Sequence, residues 1–242
     1  ATAETGPPRT GTLGLAAAGG LFMRLPSSRI IAAKLVAVVG LRLALGQWSW
    51  LDGAFLVGVG VYWPVQEWVL HRFILHMGSV ELFGRTFETY ASKVHRAHHA
   101  APADLSRVGL PTGFLLTVAG LNVLGWLWLV GGPQALTGIA AGTLAALAYE
   151  WIHFLTHAPY QPTSGWFRLV CRRHRLHHYK NDSYWFAFSV PGLDRLFGTA
   201  PDPDQVVTSQ EYGRGGLTGA PRPRGRRETG ARSRAVDETR PE

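Results

Sequence analysis

The sequence predicts an all-α integral membrane protein in which four transmembrane helices form two hairpins beneath a cytoplasmic helical cap. Three observations carry that expectation. Apolar residues, 46% of a 242-residue chain, gather in long runs rather than spreading evenly. Lys and Arg crowd the ends of the chain and the connection between the two hairpins, and avoid the turn within each hairpin. All ten histidines fall in four short windows that begin near the ends of the second and fourth apolar runs.

Taken in order, residues 1–25 read as a flexible N-terminal arm. Its apolar window, Leu13 to Phe22, is short and follows no basic cluster, so it lacks the pattern of a secretory signal. Four membrane-length segments follow. The first, Ile30 to Leu45, carries Lys34 and Arg42; the second, Leu51 to Leu70, contains Pro64, which should kink it. The third runs from Leu110 to Val130 and the fourth from Gln134 to Leu155. A bilayer core of about 30 Å takes roughly 20 helical residues to cross. The hairpin turns Gly46–Trp50 and Gly131–Pro133 lack Lys and Arg, whereas the arm, the 71–109 connection and the C-terminal region are rich in both. The positive-inside rule therefore places both termini and every histidine window in the cytoplasm. Trp48, Trp50, Trp126 and Trp128 suit the opposite interface.

The membrane-embedded domain is expected over 26–199. A basic, disordered tail should follow over 200–242, with eight arginines from Arg214 to Arg240 among Gly and Pro. Such a tail suits anionic lipid headgroups. The net charge of +8 raises a nucleic-acid partner, which is set aside. The only cysteine, Cys171, excludes an internal disulfide and any Cys-rich zinc or iron–sulfur site.

The windows read His71 and His76 (H-x4-H), His95, His98 and His99 (H-x2-H-H), His153 and His157 (H-x3-H), and His174, His177 and His178 (H-x2-H-H). Residues three and four apart share a helix face, so each H-x2-H-H window should present its imidazoles one way. His71 and His76 stand roughly 140° apart on an ideal helix, and that pair requires a local distortion. Neutral imidazole is the commonest metal ligand and suits iron, zinc and copper. Two ions with four or five ligands each would use eight to ten of these side chains. Metal-bound histidines usually give their second ring N–H to a carboxylate or carbonyl. Glu67, one turn before His71, and Glu150, three residues before His153, are placed for this, with Tyr149, Asn181 and Asp182 as further candidates.

Ligand type alone leaves zinc open beside iron. Hydrolytic zinc sites, however, use three protein ligands and an open position, which ten histidines exceed. A bis-His haem would need histidines facing each other within paired helices. A non-catalytic metal-binding or metal-transporting membrane protein would need polar groups deep in the segments, where segments two to four offer little beyond Gln66 and Asn122.

The order of the windows resembles the fatty acid hydroxylase superfamily, also called the sterol desaturase family, and most nearly its fatty acid 2-hydroxylase branch. The surroundings carry the resemblance: E-W-V-L-H-R-F-I-L-H from Glu67, H-R-A-H-H-A-A-P-A-D from His95, Y-E-W-I-H from Tyr149 and L-D-R-L-F-G-T from Leu193. It covers roughly residues 50 to 199. The resemblance implies a non-haem di-iron monooxygenase that uses O2 to hydroxylate a fatty acyl chain entering from the bilayer, with all ten histidines as metal ligands. In recombinant material zinc could take the sites, and it would be inactive in this redox cycle. Desaturases and carotenoid or sterol hydroxylases of the superfamily are the alternatives. Some members carry a fused cytochrome b5 domain with two haem-ligating histidines; here every histidine is committed. Electrons are therefore expected from a separate donor, such as a ferredoxin or a cytochrome with its reductase, steered by Arg72, Arg96, Arg107, Arg172, Arg173 and Arg175.

Overall fold

The computed structural model describes residues 12–209. Eight α-helices account for most of it: α1 Leu15–Phe22, α2 Pro26–Leu45, α3 Trp50–Val69, α4 Tyr90–Ala100, α5 Thr112–Leu129, α6 Gly132–His157, α7 Gly165–Tyr179 and α8 Gly192–Leu196. A small antiparallel hairpin, β1 Val80–Leu82 with β2 Arg85–Phe87, corrects the all-α expectation, but it is exposed and carries none of the core.

Helix α6 is the axis of the fold, packing against α2, α3 and α5. Close approach of α5 depends on two glycines of α6. A Cβ at Gly138 would fall 2.3 Å from the Trp126 ring, and one at Gly142 would fall 2.9 Å from Asn122 Nδ2. Trp126 is thus an inter-helix residue, also edge-on to Phe55 at 5.1 Å, while Trp48, Trp50 and Trp128 are exposed. Leu105–Leu129 and Gly132–His157 are long and apolar enough to cross a membrane by length and composition. Helices α2 and α3, 20 residues each, complete the bundle.

The charges within α2 are neutralised or bonded rather than left in apolar surroundings. Arg42 is buried and meets Asp52 of α3 at 2.7 Å, donates to Thr137 of α6 at 2.8 Å and also reaches the Gly46 carbonyl. Asp52 in turn accepts from the Ser49 amide at 2.8 Å, fixing the start of α3. This knot closes the end of the bundle away from the histidines. Lys34 donates to Asn122 Oδ1 at 3.0 Å across to α5.

Two expected boundaries shift. The arm expected over 1–25 contains α1, whose Ala18 and Phe22 are buried with Leu25 against Phe154, Phe167 and Cys171. Its apolar residues recur at helical spacing and cover the junction of α6 and α7. The tail expected from 200 begins later, because Val206 is buried, Asn181 donates to the Val207 carbonyl at 3.1 Å and the Ser209 amide donates to the Lys180 carbonyl at 2.8 Å. The arginine-rich stretch lies outside the described residues, as do residues 1–11.

Candidate metal centre

Helix α3 runs on through Pro64 and then changes pitch. Residues Leu70–Leu75 form a π-helical turn, closed by a bond from the His76 amide to the His71 carbonyl at 3.3 Å. In a π turn residue i+5 lies one turn above residue i. This is the distortion that the five-residue spacing demanded. Nothing similar is needed at His153 and His157, which share a face of the regular helix α6.

Helix α4 is capped by Thr89, whose hydroxyl accepts from the Ser92 amide at 3.1 Å, and α7 by Ser164, which accepts from the Phe167 amide at 3.1 Å. Both caps hold the helices that carry the two H-x2-H-H windows. The ten histidines then converge as two groups of five. One comprises His71, His76, His95, His99 and His177; the other comprises His98, His153, His157, His174 and His178. Within each group, one nitrogen from every ring lies within 4.8 Å of the others. Each H-x2-H-H window therefore divides: His95 and His99 join one group and His98 the other, and His174 and His178 separate from His177 in the same way. The groups abut, with the His99 and His178 rings stacked at 4.0 Å.

The donor chemistry fits a cation in each group. His71 Nδ1 lies 2.7 Å from the Phe186 carbonyl, and His177 Nδ1 lies 2.8 Å from the Tyr184 carbonyl. A carbonyl only accepts, so both rings carry their proton on Nδ1 and turn an Nε2 lone pair inward. Among the described residues, the buried Nε2 of His71 has no hydrogen-bond partner, and neither do the two ring nitrogens of His98 and of His178. Nε2 atoms approach each other at 3.0 Å between His76 and His177, 3.0 Å between His76 and His95, and 2.7 Å between His157 and His174. Two nitrogens each about 2.1 Å from one ion and at right angles stand about 3.0 Å apart. Burial pushes the His71 pKa down to about 3, and it holds His95, His98, His99, His174, His177 and His178 well below the ordinary imidazole range, with neighbouring imidazoles adding to the effect. The lone pairs are thus available at neutral pH.

The acidic residues act one step further out than the sequence suggested. Glu67 is buried and accepts from the amides of Phe188 and Ser189, each at 2.7 Å, and from the Ser189 hydroxyl, instead of meeting His71. It pins the loop whose Tyr184 and Phe186 carbonyls orient His177 and His71. Glu150 accepts from the Leu110 amide at 2.9 Å and the Ser27 hydroxyl at 3.1 Å, tying the 108–111 loop and the start of α2 to the turn below His153. Tyr149 stacks on His153, their centroids 5.8 Å apart. Asp182 Oδ2 lies 3.6 Å from His76 Nδ1, while Asn181 accepts from the Ser183 amide and so shapes the turn after α7.

Sequence reasoning missed the loop between α7 and α8. Asp194 is fully buried and accepts from the amides of Phe186 at 2.9 Å and Ala187 at 3.0 Å and from the Thr199 hydroxyl at 2.7 Å. Trp185, between the two orienting carbonyls, adopts φ of 58°, a left-handed conformation rare for an aromatic residue, and its amide donates to the Thr199 carbonyl. The L-D-R-L-F-G-T stretch was a signal for this frame, since it contains both Asp194 and Thr199. Arg173 belongs to the same frame, buried against Asp194 and the Pro191 carbonyl, and is withdrawn from the surface set of arginines.

Of three cavities, one is lined by histidines of the centre. A narrow one of about 30 Å³ is lined by His95, His98 and His153 together with Phe114 and Tyr149. A mainly apolar one of about 500 Å³ lies among α2, α3, α5 and α6, lined by residues such as Val59, Leu70, Leu115, Leu121 and Ala146, with Lys34, Gln66 and Asn122 as its polar members. The third, about 360 Å³, opens beside Leu25, Ser106, Arg107 and Thr112.

A sequence profile described as fatty acid hydroxylase matches residues 56–199. The chain is 31% identical over 180 residues to the ceramide very long chain fatty acid hydroxylase SCS7 of Saccharomyces cerevisiae, covering 73% of this chain and 46% of that protein. It is 28% identical over 158 residues to the fatty acid 2-hydroxylase of Homo sapiens, covering 62% of this chain and 40% of that protein. The chain thus spans about half the length, or less, of these relatives. A solved structure of full-length scs7p, in which only the hydroxylase domain is visible, superposes with a TM-score of 0.59 at 26% identity, covering 72% of this chain and 65% of that one. With a family match over more than half its length, the chain belongs to the fatty acid hydroxylase family.

Proposed function

We propose that the protein is a membrane-bound non-haem di-iron monooxygenase that hydroxylates the acyl chain of a fatty acid or lipid near its carboxyl end, as the names of its relatives suggest. The observation that carries this reading is the narrow cavity. Histidines of both five-nitrogen groups line it, and a larger, mainly apolar cavity is lined by other residues of the same helices, Leu115 of α5 next to Phe114 and Ala146 of α6 one turn from Tyr149. Iron bound in the two groups would supply O2-dependent oxidation of a C–H bond, one oxygen atom entering the product and the other leaving as water with two electrons and two protons. The chain's own residues do the rest. The apolar walls hold the acyl chain straight and exclude water, while Phe114 and Tyr149 narrow the passage so that a single methylene faces His95, His98 and His153. A cavity of this size and lining suits one long alkyl chain.

In this reading α2, α3, α5 and α6 all span the bilayer, with the histidines and both termini on the cytoplasmic side. Electrons come from outside these residues, from a ferredoxin or a cytochrome with its reductase, received at the exposed Arg172 and Arg175 of α7. The test is lipid mass spectrometry on matched expression hosts carrying the natural chain or His177→Ala, with an electron donor supplied. A new lipid heavier by one oxygen, absent from the variant host, is expected. A product lighter by two hydrogens would replace the reading with desaturation. Stoichiometric metal with no lipid change would replace it with a non-catalytic metal protein.

A further inference from the structure

The mouth cavity and the narrow cavity are neighbours, sharing Val94, Arg107, Gly109, Leu110 and Pro111 in their linings. Arg107 is the cationic residue that both linings contain. Its Nε donates to Asp104 Oδ2 at 2.9 Å, and Asp104 is itself fixed as the cap of the 105–107 turn by the Ser106 amide at 3.1 Å. This bond occupies one edge of the guanidinium. Among the described residues, nothing is bonded to its two terminal NH2 groups, which form the fork that matches a pair of carboxyl oxygens. The cavity wall beside it is otherwise short-chained or apolar, with Leu25, Pro26, Val94 and Ala97, and the Ser27 and Ser106 hydroxyls already donate to Glu150 and Asp104.

A mouth with a cation adjoins a constriction at the histidines, and a larger, mainly apolar cavity lies among α2, α3, α5 and α6; together they match the parts of an elongated amphiphile. We infer that Arg107 binds the carboxyl group of the acyl substrate at the cavity mouth, with Asp104 as the residue that positions it. Arg107 then sets both which lipids enter and which carbon stops at the constriction. A head held one cavity away from His95 and His98 leaves only the first carbons of the chain within their reach. The assignment rests on the acyl-chain reading of the apolar cavity, and the experiment separates the two.

Binding of radiolabelled palmitate and of radiolabelled hexadecane to the purified full-length chain, measured by scintillation proximity, requires neither turnover nor added metal. The natural chain should hold both probes, and palmitate about tenfold more tightly or better, the value of a hydrogen bond to a charged group. Arg107→Met should bring palmitate down to the level of hexadecane and leave hexadecane unchanged. Arg107→Lys, which keeps the charge and loses the fork, should fall between. Palmitate binding undiminished in Arg107→Met would overturn the assignment. So would an equal loss for both probes, which would make Arg107 a packing element of the 105–107 turn. Failure of the natural chain to hold either probe would overturn the acyl-chain reading itself, and the Arg107 assignment with it.

Discussion

The first histidine group takes four members from the 71–99 region and the second takes four from 153–178, and each is completed by one imidazole from the other region, His177 and His98 respectively. The two regions repeat one another in sequence, yet they support their imidazoles differently. The first group relies on a π turn and on carbonyls of a distant loop, Phe186 for His71 and Tyr184 for His177. The second stands on the regular helices α4, α6 and α7 with no π turn. Rings brace both groups: Phe186 is edge-on to His71 at 5.5 Å in the first, whereas in the second Phe188 lies edge-on to His153 at 5.4 Å and to His174 at 5.0 Å and Tyr149 stacks on His153. A repeat of ligand spacing is thus not a repeat of ligand support. What the halves have in common is the exchange of one histidine, which makes neither group complete without the other.

That exchange can be broken first, with the largest expected effect. His98→Ala removes from the second group a residue that sits on the first group's helix, and His177→Ala does the converse. Each should lower bound metal by one of two equivalents, measured by plasma mass spectrometry, and abolish hydroxylation. The remaining equivalent should still be lost when a member of the intact group is also replaced, such as His71 in the His98→Ala background. Full metal retention in His98→Ala would dissolve the five-and-five division.

The difference in support gives a smaller effect. Glu67→Ala deprives the buried amide of Phe188 and the part-buried amide of Ser189 of their acceptor, a loss of about 1–3 kcal/mol for a buried group left unpaired. The loop then no longer holds the Phe186 and Tyr184 carbonyls against His71 and His177. Removal of such outer partners typically costs about 10–100-fold in metal affinity. The expected result is a loss in that range at one site, read by competition with a chelator, and a much smaller change at the other, which loses only the placement of the Phe188 ring. Glu67→Gln, which keeps an oxygen acceptor, should be milder. Equal weakening of both sites would mean that the loop supports the groups alike.

Much of this centre was legible in the sequence because its chemistry is local. Ten histidines at helical spacings point to groups that could hold metal, and the H-x4-H interval announces a distortion that the π turn supplies. The division of each H-x2-H-H window was not legible. Helical geometry places His95, His98 and His99 on one side of α4, and only the packing of a second helix decides which imidazole each neighbour takes. Glu67 and Glu150 were correctly seen as acids that need partners, but their partners are backbone amides 121 and 40 residues away, which no spacing rule reaches. The apolar runs gave α2, α3, α5 and α6 within a few residues. The helical pattern of Leu15–Phe22 was concealed by its small residues, since an Ala- and Gly-rich stretch packs closely without a strong apolar stripe.

The smallest expected effect separates the support of the second group from the shape of its cavity. Gly109 lies where the 108–111 loop crosses Glu150, and a Cβ there would come within 2.5 Å of Ser27 Oγ and 3.6 Å of Glu150 Oε2. Gly109→Ala must displace the Ser27 hydroxyl from Glu150 or move the loop, an overpacking cost of about 1–3 kcal/mol. The histidines themselves are untouched, and Glu150 keeps its bond to the Leu110 amide if the serine yields. Metal content should therefore stay at the natural level. Because Gly109 and Leu110 line both the mouth and the narrow cavity, a moved loop should raise KM for the acyl substrate more than it lowers kcat. Loss of metal in this variant would show instead that Glu150 acts on the second group through the helix turn they have in common. The second group would then depend on a remote anchor as the first does, and the contrast between the two would be one of degree.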